Sequence, residues 1–194
     1  MNYPLDLSFK IFAIANQIYV RDSSGHLVCY VKQKVFSWKD SITVFADEEQ
    51  TKPLFTINAD SILDFNARFH FADTNGTPMG SVKRQGARSL WRCRYDLLSG
   101  ETPVMHVQEE NPWVKVFDAI LLEIPIVGLF TTYFLNPRYL IARSDGTPVM
   151  RLKKHPSFFD RRFRLENLGE MDTQEEMNVV LSVLIISLIE RHRK

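Results

Sequence analysis

The chain has 194 residues, enough for one domain with one sizeable hydrophobic core. Its hydrophobic content of 45% and charged content of 24% are ordinary for a globular protein, and its formal net charge is +1. A charge so close to neutral excludes a general attraction to nucleic acid or membranes, so any electrostatic function must come from local clusters. Because no recognition motif is present either, nucleic acid is not an expected partner.

The N-terminal segment lacks the features of a signal peptide. It has no basic region, and its apolar run, Ile11–Ala15, is too short. The two cysteines, Cys29 and Cys93, do not form a CxxC pair or a disulfide framework. We therefore expect a cytoplasmic protein with two free buried thiols, a single bridge between them being the alternative.

Short segments with strand character fill most of the sequence. Several alternate apolar and polar residues, a pattern that buries one face and exposes the other. The twelve segments are Ile11–Ala15, Ile18–Asp22, Val28–Gln33, Ile42–Asp47, Leu54–Asn58, Arg68–Asp73, Met79–Arg84, Leu90–Asp96, Val104–Gln108, Tyr139–Arg143, Val149–Lys153 and Arg162–Glu166. So many antiparallel strands usually close or stack to remove their edges. The pattern predicts a mainly β protein, a closed antiparallel barrel of about twelve strands.

Three of the predicted hairpins share a degenerate repeat around a turn glycine, at Gly25, Gly76 and Gly146. An apolar residue follows each glycine after three positions, another after six, and a lysine after seven. The three lysines are Lys32, Lys83 and Lys153. The glycines are spaced 51 and 70 residues apart, too irregularly for a solenoid. The repeat therefore indicates equivalent hairpins within one sheet.

The C-terminal segment has helical character. Met177–Ile189 contains no charged residue, and apolar residues occupy every side of its helical wheel, which predicts a helix buried all round. Its length of about 20 Å is well short of the ~30 Å hydrocarbon core of a bilayer. Thr173, followed by Glu176, predicts a capping box at its start. We expect a helix at about residues 173–191 inside the barrel.

The segment 112–136 is an apolar excursion between strands. Glu123 is its last charged residue, and Pro125 and Gly128 argue against one long straight helix. One interpretation is a strand followed by a short helical segment that covers the barrel. The alternative is a membrane-dipping hairpin, or a contact surface for a protein partner or homo-oligomer through Trp113–Leu135.

Short strands followed by one apolar C-terminal helix resemble the tubby C-terminal-like superfamily. Within it, the chain is most similar to the LURP-one-related proteins and their bacterial relatives, which also resemble phospholipid scramblases. The segments that carry the resemblance are Val31–Ser37, Ile62–Arg68, Tyr139–Gly146, Phe158–Glu166 and the terminal helix. The resemblance implies one domain over residues 1–194, a barrel around a central helix.

The resemblance also implies a class of ligand, because tubby domains bind phosphoinositides and scramblases act on membrane lipids. The sequence has no convincing counterpart of the tubby phosphoinositide-binding motif or of the acidic calcium segment of scramblases. Anionic lipid is therefore expected as a class and not as a particular headgroup.

Enzyme signatures are absent from the sequence. It contains no HExxH, GxSxG, Walker loop or GxGxxG, so we expect no catalysis, cofactor or metal. The alternative is an enzyme with a site in the barrel mouth, for which the sequence assigns no residues. His70 and His106 lie in alternating strands and are predicted to be polar-face or hydrogen-bonded core residues. The acidic clusters at 47–49 and 109–110 flank strand ends, which predicts solvated turns.

Basic residues cluster on two predicted hairpins. The first cluster contains Lys83, Arg84, Arg88, Arg92 and Arg94, and the last two share strand parity and should project from one face.

The second cluster begins at Lys153 and Lys154 and has Phe158 and Phe159 at its tip. Cations beside exposed aromatic rings suit an anionic headgroup at a membrane surface, the alternative being a solvated face balanced by acids. We predict a non-enzymatic binding or regulatory module for anionic phospholipid headgroups, cytoplasmic and peripheral to the membrane. A scaffold or oligomer that uses 112–136 is the alternative function.

Overall fold

A computed structural model of the chain describes residues 1–10, 15–34, 41–60, 67–85, 94–110, 138–155 and 161–192. The strands are β1 (Leu5–Lys10), β2 (Ala15–Arg21), β3 (Leu27–Lys34), β4 (Ile42–Phe45), β5 (Pro53–Ala59), β6 (Arg68–Asp73), β7 (Pro78–Arg84), β8 (Arg94–Ser99), β9 (Thr102–Glu109), β10 (Arg138–Arg143), β11 (Pro148–His155) and β12 (Arg161–Asn167). Helix α1 (Thr173–His192) follows them. Each strand pairs with its chain neighbours, and β1 pairs with β12, which closes the barrel. The predicted fold class is confirmed.

The first strand differs from the prediction. It is Leu5–Lys10, whose alternating side chains put Leu5, Leu7 and Phe9 in the core. Of the predicted strand Ile11–Ala15, Ala15 begins β2, and residues 11–14 lie outside the described residues. The segment 112–136 also lies outside them.

The three repeat hairpins, β2–β3, β6–β7 and β10–β11, are built alike. Gly25, Gly76 and Gly146 have φ of 81°, 81° and 89°, and each donates its N–H to the carbonyl three residues earlier. In each hairpin the register shifts at the same position before the turn. The hairpins recur every four strands around the ring, so they are evenly spaced in the strand order of the barrel.

Helix α1 fills the centre of the barrel. Its residues from Val179 to Leu188 are buried, Ile185 with 0% exposure, and they form one core with the inward side chains of the strands. The predicted central helix is confirmed. Its twenty residues extend about 30 Å at 1.5 Å per residue, enough to run from one end of the barrel to the other. Among the described residues, no helix combines the length and apolarity needed to cross a bilayer.

One inward position of the barrel wall is shaped for this helix. Gly80 faces the interior opposite Phe71, and a Cβ added to it would lie 3.1 Å from Asn178 Nδ2 and 3.1 Å from the Leu98 carbonyl oxygen. The Asn178 amide donates to the carbonyl of Met79 at 3.1 Å. Glycine is therefore what lets the helix approach the wall here.

The cap of the helix lies one residue before the predicted position. Asp172 is the N-cap: its Oδ1 accepts the N–H of Glu175 at 2.8 Å, and Glu175 Oε2 accepts the N–H of Asp172 at 3.2 Å. The predicted pairing of Thr173 with Glu176 is therefore wrong, because the reciprocal bonds form one residue earlier. Arg143 of β10 holds the same Glu175 carboxylate, with Nη2 2.9 Å from Oε2.

Candidate functional site at the basic end of the barrel

Because neighbouring strands run in opposite directions, connections after even-numbered strands lie at one end of the barrel and connections after odd-numbered strands at the other. Helix α1 follows β12 and begins at the first end. Met1 also lies there, with its amino group 3.5 Å from Glu176 Oε1. The described residues of the two ends differ in charge.

The end at which α1 begins carries exposed carboxylates. They are Glu48, Glu49, Glu101, Asp145, Glu170 and Asp172, and the exposed lysine described at this end is Lys52. Acidic side chains are favourable near a helix N-terminus, because the helix dipole is positive there. We call this the acidic end. The predicted solvated turn at 47–49 is confirmed, with Asp47 Oδ1 accepting the N–H of Thr51 at 3.0 Å.

The opposite end carries exposed cations on the outer wall. They are Lys10, Lys32, Lys83, Arg138 and Arg162, from β1, β3, β7, β10 and β12. The exposed carboxylate described at this end is Asp60, after β5. We call this the basic end. The cations therefore surround the end and do not lie on one patch of the wall.

The first predicted basic cluster divides between the two faces of the wall. Lys83 projects outward from β7, and its register partner is Asp96 on β8. Arg94 also has the outward parity of Asp96, and its Nε lies 3.7 Å from Asp96 Oδ1. Arg84 is 8% exposed and shares the inner face with Tyr95. Predicted residues Arg88 and Arg92 lie outside the described part of the chain.

The second predicted cluster divides in the same way. Lys153 projects outward, and its Nζ lies 2.7 Å from Glu166 Oε1. Lys154 is the register partner of Phe163, which belongs to the core, so it has inward parity. Strand alternation explains the division, because consecutive residues of a strand face opposite sides. Phe158 and Phe159 lie outside the described residues.

A polar network that the sequence analysis missed lies beside Lys83. His106 Nδ1 is 2.6 Å from Asp96 Oδ1, and Gln85 Nε2 donates to the other carboxylate oxygen of Asp96. The antiparallel pairing of β8 with β9 makes His106 the register partner of Asp96. Of the two alternatives predicted for His70 and His106, the polar face is confirmed, because their strand neighbours belong to the core. His70 Nε2 lies 3.4 Å from Asp60 Oδ2.

Glu109 corrects an expectation from sequence. It was predicted to belong to a solvated turn, but it is 0% exposed in β9. Met105, Val107 and Glu109 share one parity, and the first two are core residues, so the carboxylate faces the barrel interior. The predicted strand ended at Gln108, whereas β9 ends at Glu109. This additional residue has the inward parity of the strand, so its side chain faces the barrel interior.

Within the described ranges, no group of three or more His, Cys, Asp or Glu side chains is arranged to hold a metal ion. Cys29 is a free thiol in the core, and burial raises its pKa to about 12. It is therefore protonated at neutral pH and is a poor nucleophile or metal ligand.

The architecture, twelve antiparallel strands closed around a C-terminal helix, is of the tubby-like class. A solved structure of a protein from Arabidopsis thaliana has the same fold, with a TM-score of 0.50 and 13% sequence identity over 100% of this chain and 94% of that chain. The LURP-one-related family model matches residues 27–123, half of the sequence. The chain belongs to the LURP-one-related family. Among curated proteins, no significant match is found.

Proposed function

We propose that the protein is a non-enzymatic module that binds anionic phospholipid headgroups through the basic end of its barrel. The observation that carries the proposal is the separation of charge between the two ends, as the described residues show it. A net charge of +1 conceals it, because the acidic and basic residues are nearly equal in number. Among the described residues, most exposed acidic side chains lie at one end of the barrel and most exposed basic side chains at the other.

The distance between the ends makes the separation effective. Strands of six to eight residues extend roughly 20 to 26 Å at about 3.3 Å per residue, and a tilt of about 40° leaves a height of roughly 15 to 20 Å. The Debye length at physiological ionic strength is about 8 Å. An anion at the basic end is therefore screened from the carboxylates of the acidic end, except from Glu101, which pairs across the wall with Arg68 at the start of β6 (Nη1 to Oε1, 2.7 Å). Each lysine or arginine near an anionic membrane contributes about 1 kcal/mol to binding.

Co-sedimentation with vesicles tests the proposal directly. The protein is mixed with neutral phosphatidylcholine vesicles and with vesicles that contain phosphoinositide or cardiolipin. We expect sedimentation with the anionic vesicles and its loss as salt is raised, because salt screens surface charge. Equal and negligible sedimentation in all mixtures would contradict the proposal.

A second candidate function is self-association through residues 112–136. Its support is the apolar composition of Trp113–Leu135, together with the topology: β9 ends at Glu109 and β10 begins at Arg138, and both of these strand ends lie at the basic end. Light scattering on the wild type and on Leu129→Asp tests it. A folded monomer in both cases would remove this candidate.

A further inference from the structure

The lysines of the hairpin repeat occupy equivalent places around the barrel. Lys32, Lys83 and Lys153 each lie seven residues after a turn glycine, on β3, β7 and β11. Around the closed ring, each of these three strands is four strands away from the next one. Neighbouring strands are about 4.8 Å apart, so adjacent lysines are roughly 19 Å apart around the wall. We call them the corner lysines.

The corner lysines share an orientation as well as a spacing. In each hairpin the residue before the lysine, Val31, Val82 or Leu152, is 1% exposed and belongs to the core. Strand alternation therefore turns each lysine outward. Lys32 and Lys83 are exposed. Lys153 is half-buried beside Glu166, but its register partner Arg138 is exposed, so the third corner also presents a cation.

We infer that the three corners contact a flat anionic bilayer, with the barrel standing on its basic end and the acidic end pointing away. The inference rests on the proposed function and specifies how the ligand is presented. A separation of about 19 Å is more than twice the Debye length of about 8 Å, so each corner attracts different phosphates. Three separated contacts around a ring match a plane of charge, and they do not converge on one small anion.

A bilayer fits these corners better than a nucleic acid duplex does. A duplex is a rod and meets a ring of this width along one line, which leaves at least one corner without phosphate. The acidic end adds direction, because an anionic surface repels it. Binding should therefore follow the charge density of the membrane and should depend little on the chemical identity of the headgroup.

The test compares two variants with the same change in net charge. Lys32→Gln/Lys83→Gln removes two charges from the basic end, and Lys52→Glu changes the charge by two at an exposed position of the acidic end. Vesicles contain phosphatidylserine, cardiolipin or phosphoinositide at matched surface charge. About 1 kcal/mol per lysine predicts that the double variant binds about 25-fold more weakly, and that each single variant loses about fivefold. Lys52→Glu should lose less than twofold.

A third variant and a soluble competitor complete the experiment. Adding Arg138→Gln and Lys153→Gln to the double variant should weaken binding at least fivefold further. Millimolar inositol trisphosphate should displace the wild type no more than an equal ionic strength of salt does. Circular dichroism and melting check that each variant is folded, as the exposure of Lys32, Lys83 and Arg138 leads us to expect for those three positions.

The outcomes separate the inference from the proposed function. Displacement by inositol trisphosphate, or loss of all binding with one corner, would show a discrete headgroup site and overturn the inference while the proposed function stood. Equal losses in Lys52→Glu and in the double variant would also overturn it, because only total charge would then matter. Tighter binding to duplex DNA than to anionic vesicles would overturn it as well. Absence of binding to every vesicle would overturn both.

Discussion

A charge placed at Ile185 tests the central helix. Ile185 is 0% exposed, so the carboxylate of Ile185→Asp has no water and must be neutral in the folded barrel. Protonating a carboxyl with an unfolded pKa of about 3.9 at pH 7 costs about 4.2 kcal/mol. Loss of the buried apolar side chain adds roughly 1.5 to 3 kcal/mol. The sum of about 6 to 7 kcal/mol is comparable with the whole stability of a domain, about 5 to 15 kcal/mol.

The pH dependence of this penalty has a definite sign. The introduced carboxyl has a higher pKa in the folded barrel than in the unfolded chain, so the loss of stability is present at high pH. The loss becomes smaller as the pH falls toward the pKa of the carboxyl in the unfolded chain. Between pH 7 and pH 5 it should shrink by about 2.7 kcal/mol.

Urea unfolding at both pH values measures this difference. Thr173→Asp, an exposed position in the first turn of the same helix, is the matched control and should show no such change. If Ile185→Asp does not fold at pH 7, Ile185→Ala should still lose about 2 to 5 kcal/mol. Aspartate variants with equal stability at 173 and 185 would refute the buried-helix reasoning.

Three further predictions concern contacts that position the helix and the turns. Gly80→Val should lower stability by about 1 to 3 kcal/mol, because the valine side chain would overlap Asn178 of the helix. A double-mutant cycle with Asn178→Ala should show coupling between the two positions, and additive effects would contradict the close approach. Glu175→Ala should cost about 1 kcal/mol in chemical denaturation, through loss of the cap and of the Arg143 contact, with exposed Glu170→Ala as its near-neutral control. Backbone N–H groups, first that of Thr77, lower the pKa of Asp73 in the folded protein. The stability that this carboxylate contributes is therefore present above about pH 3.9, the pKa of an unfolded aspartate, and is lost as the pH falls through the lower pKa of the folded state. Asp73→Asn should flatten the fall in melting temperature between pH 4 and 2, and an unchanged slope would contradict this.

The barrel and its helix could be predicted because each has a simple periodic signal. Inward residues alternate along the strands, and Met177–Ile189 carries no charge at all. The repeat around the turn glycines also predicted equivalent hairpins. The first strand was missed although Leu5, Leu7 and Phe9 alternate correctly, because the apolar run at 11–15 that follows it gives a stronger local signal.

The candidate site could be predicted only in part. The basic residues were found, but their division between the faces depends on the parity of each strand, which puts Lys83 outside and Arg84 inside. The contact of Asp96 with His106 depends on the register of β8 against β9, which the sequence analysis did not assign. The separation of charge was hidden because most exposed acids of the described residues follow even-numbered strands and most exposed cations lie at the opposite strand ends, so the two signs alternate along the chain.

The even number of strands has a practical consequence for attaching probes. After twelve passes the chain has returned to the end where Met1 lies, and only α1 then carries it through the barrel to the far opening. A fluorophore joined before Met1 and one joined after His192 would therefore report from opposite poles of the molecule. On a vesicle doped with a lipid quencher, the pair would show directly which pole faces the membrane.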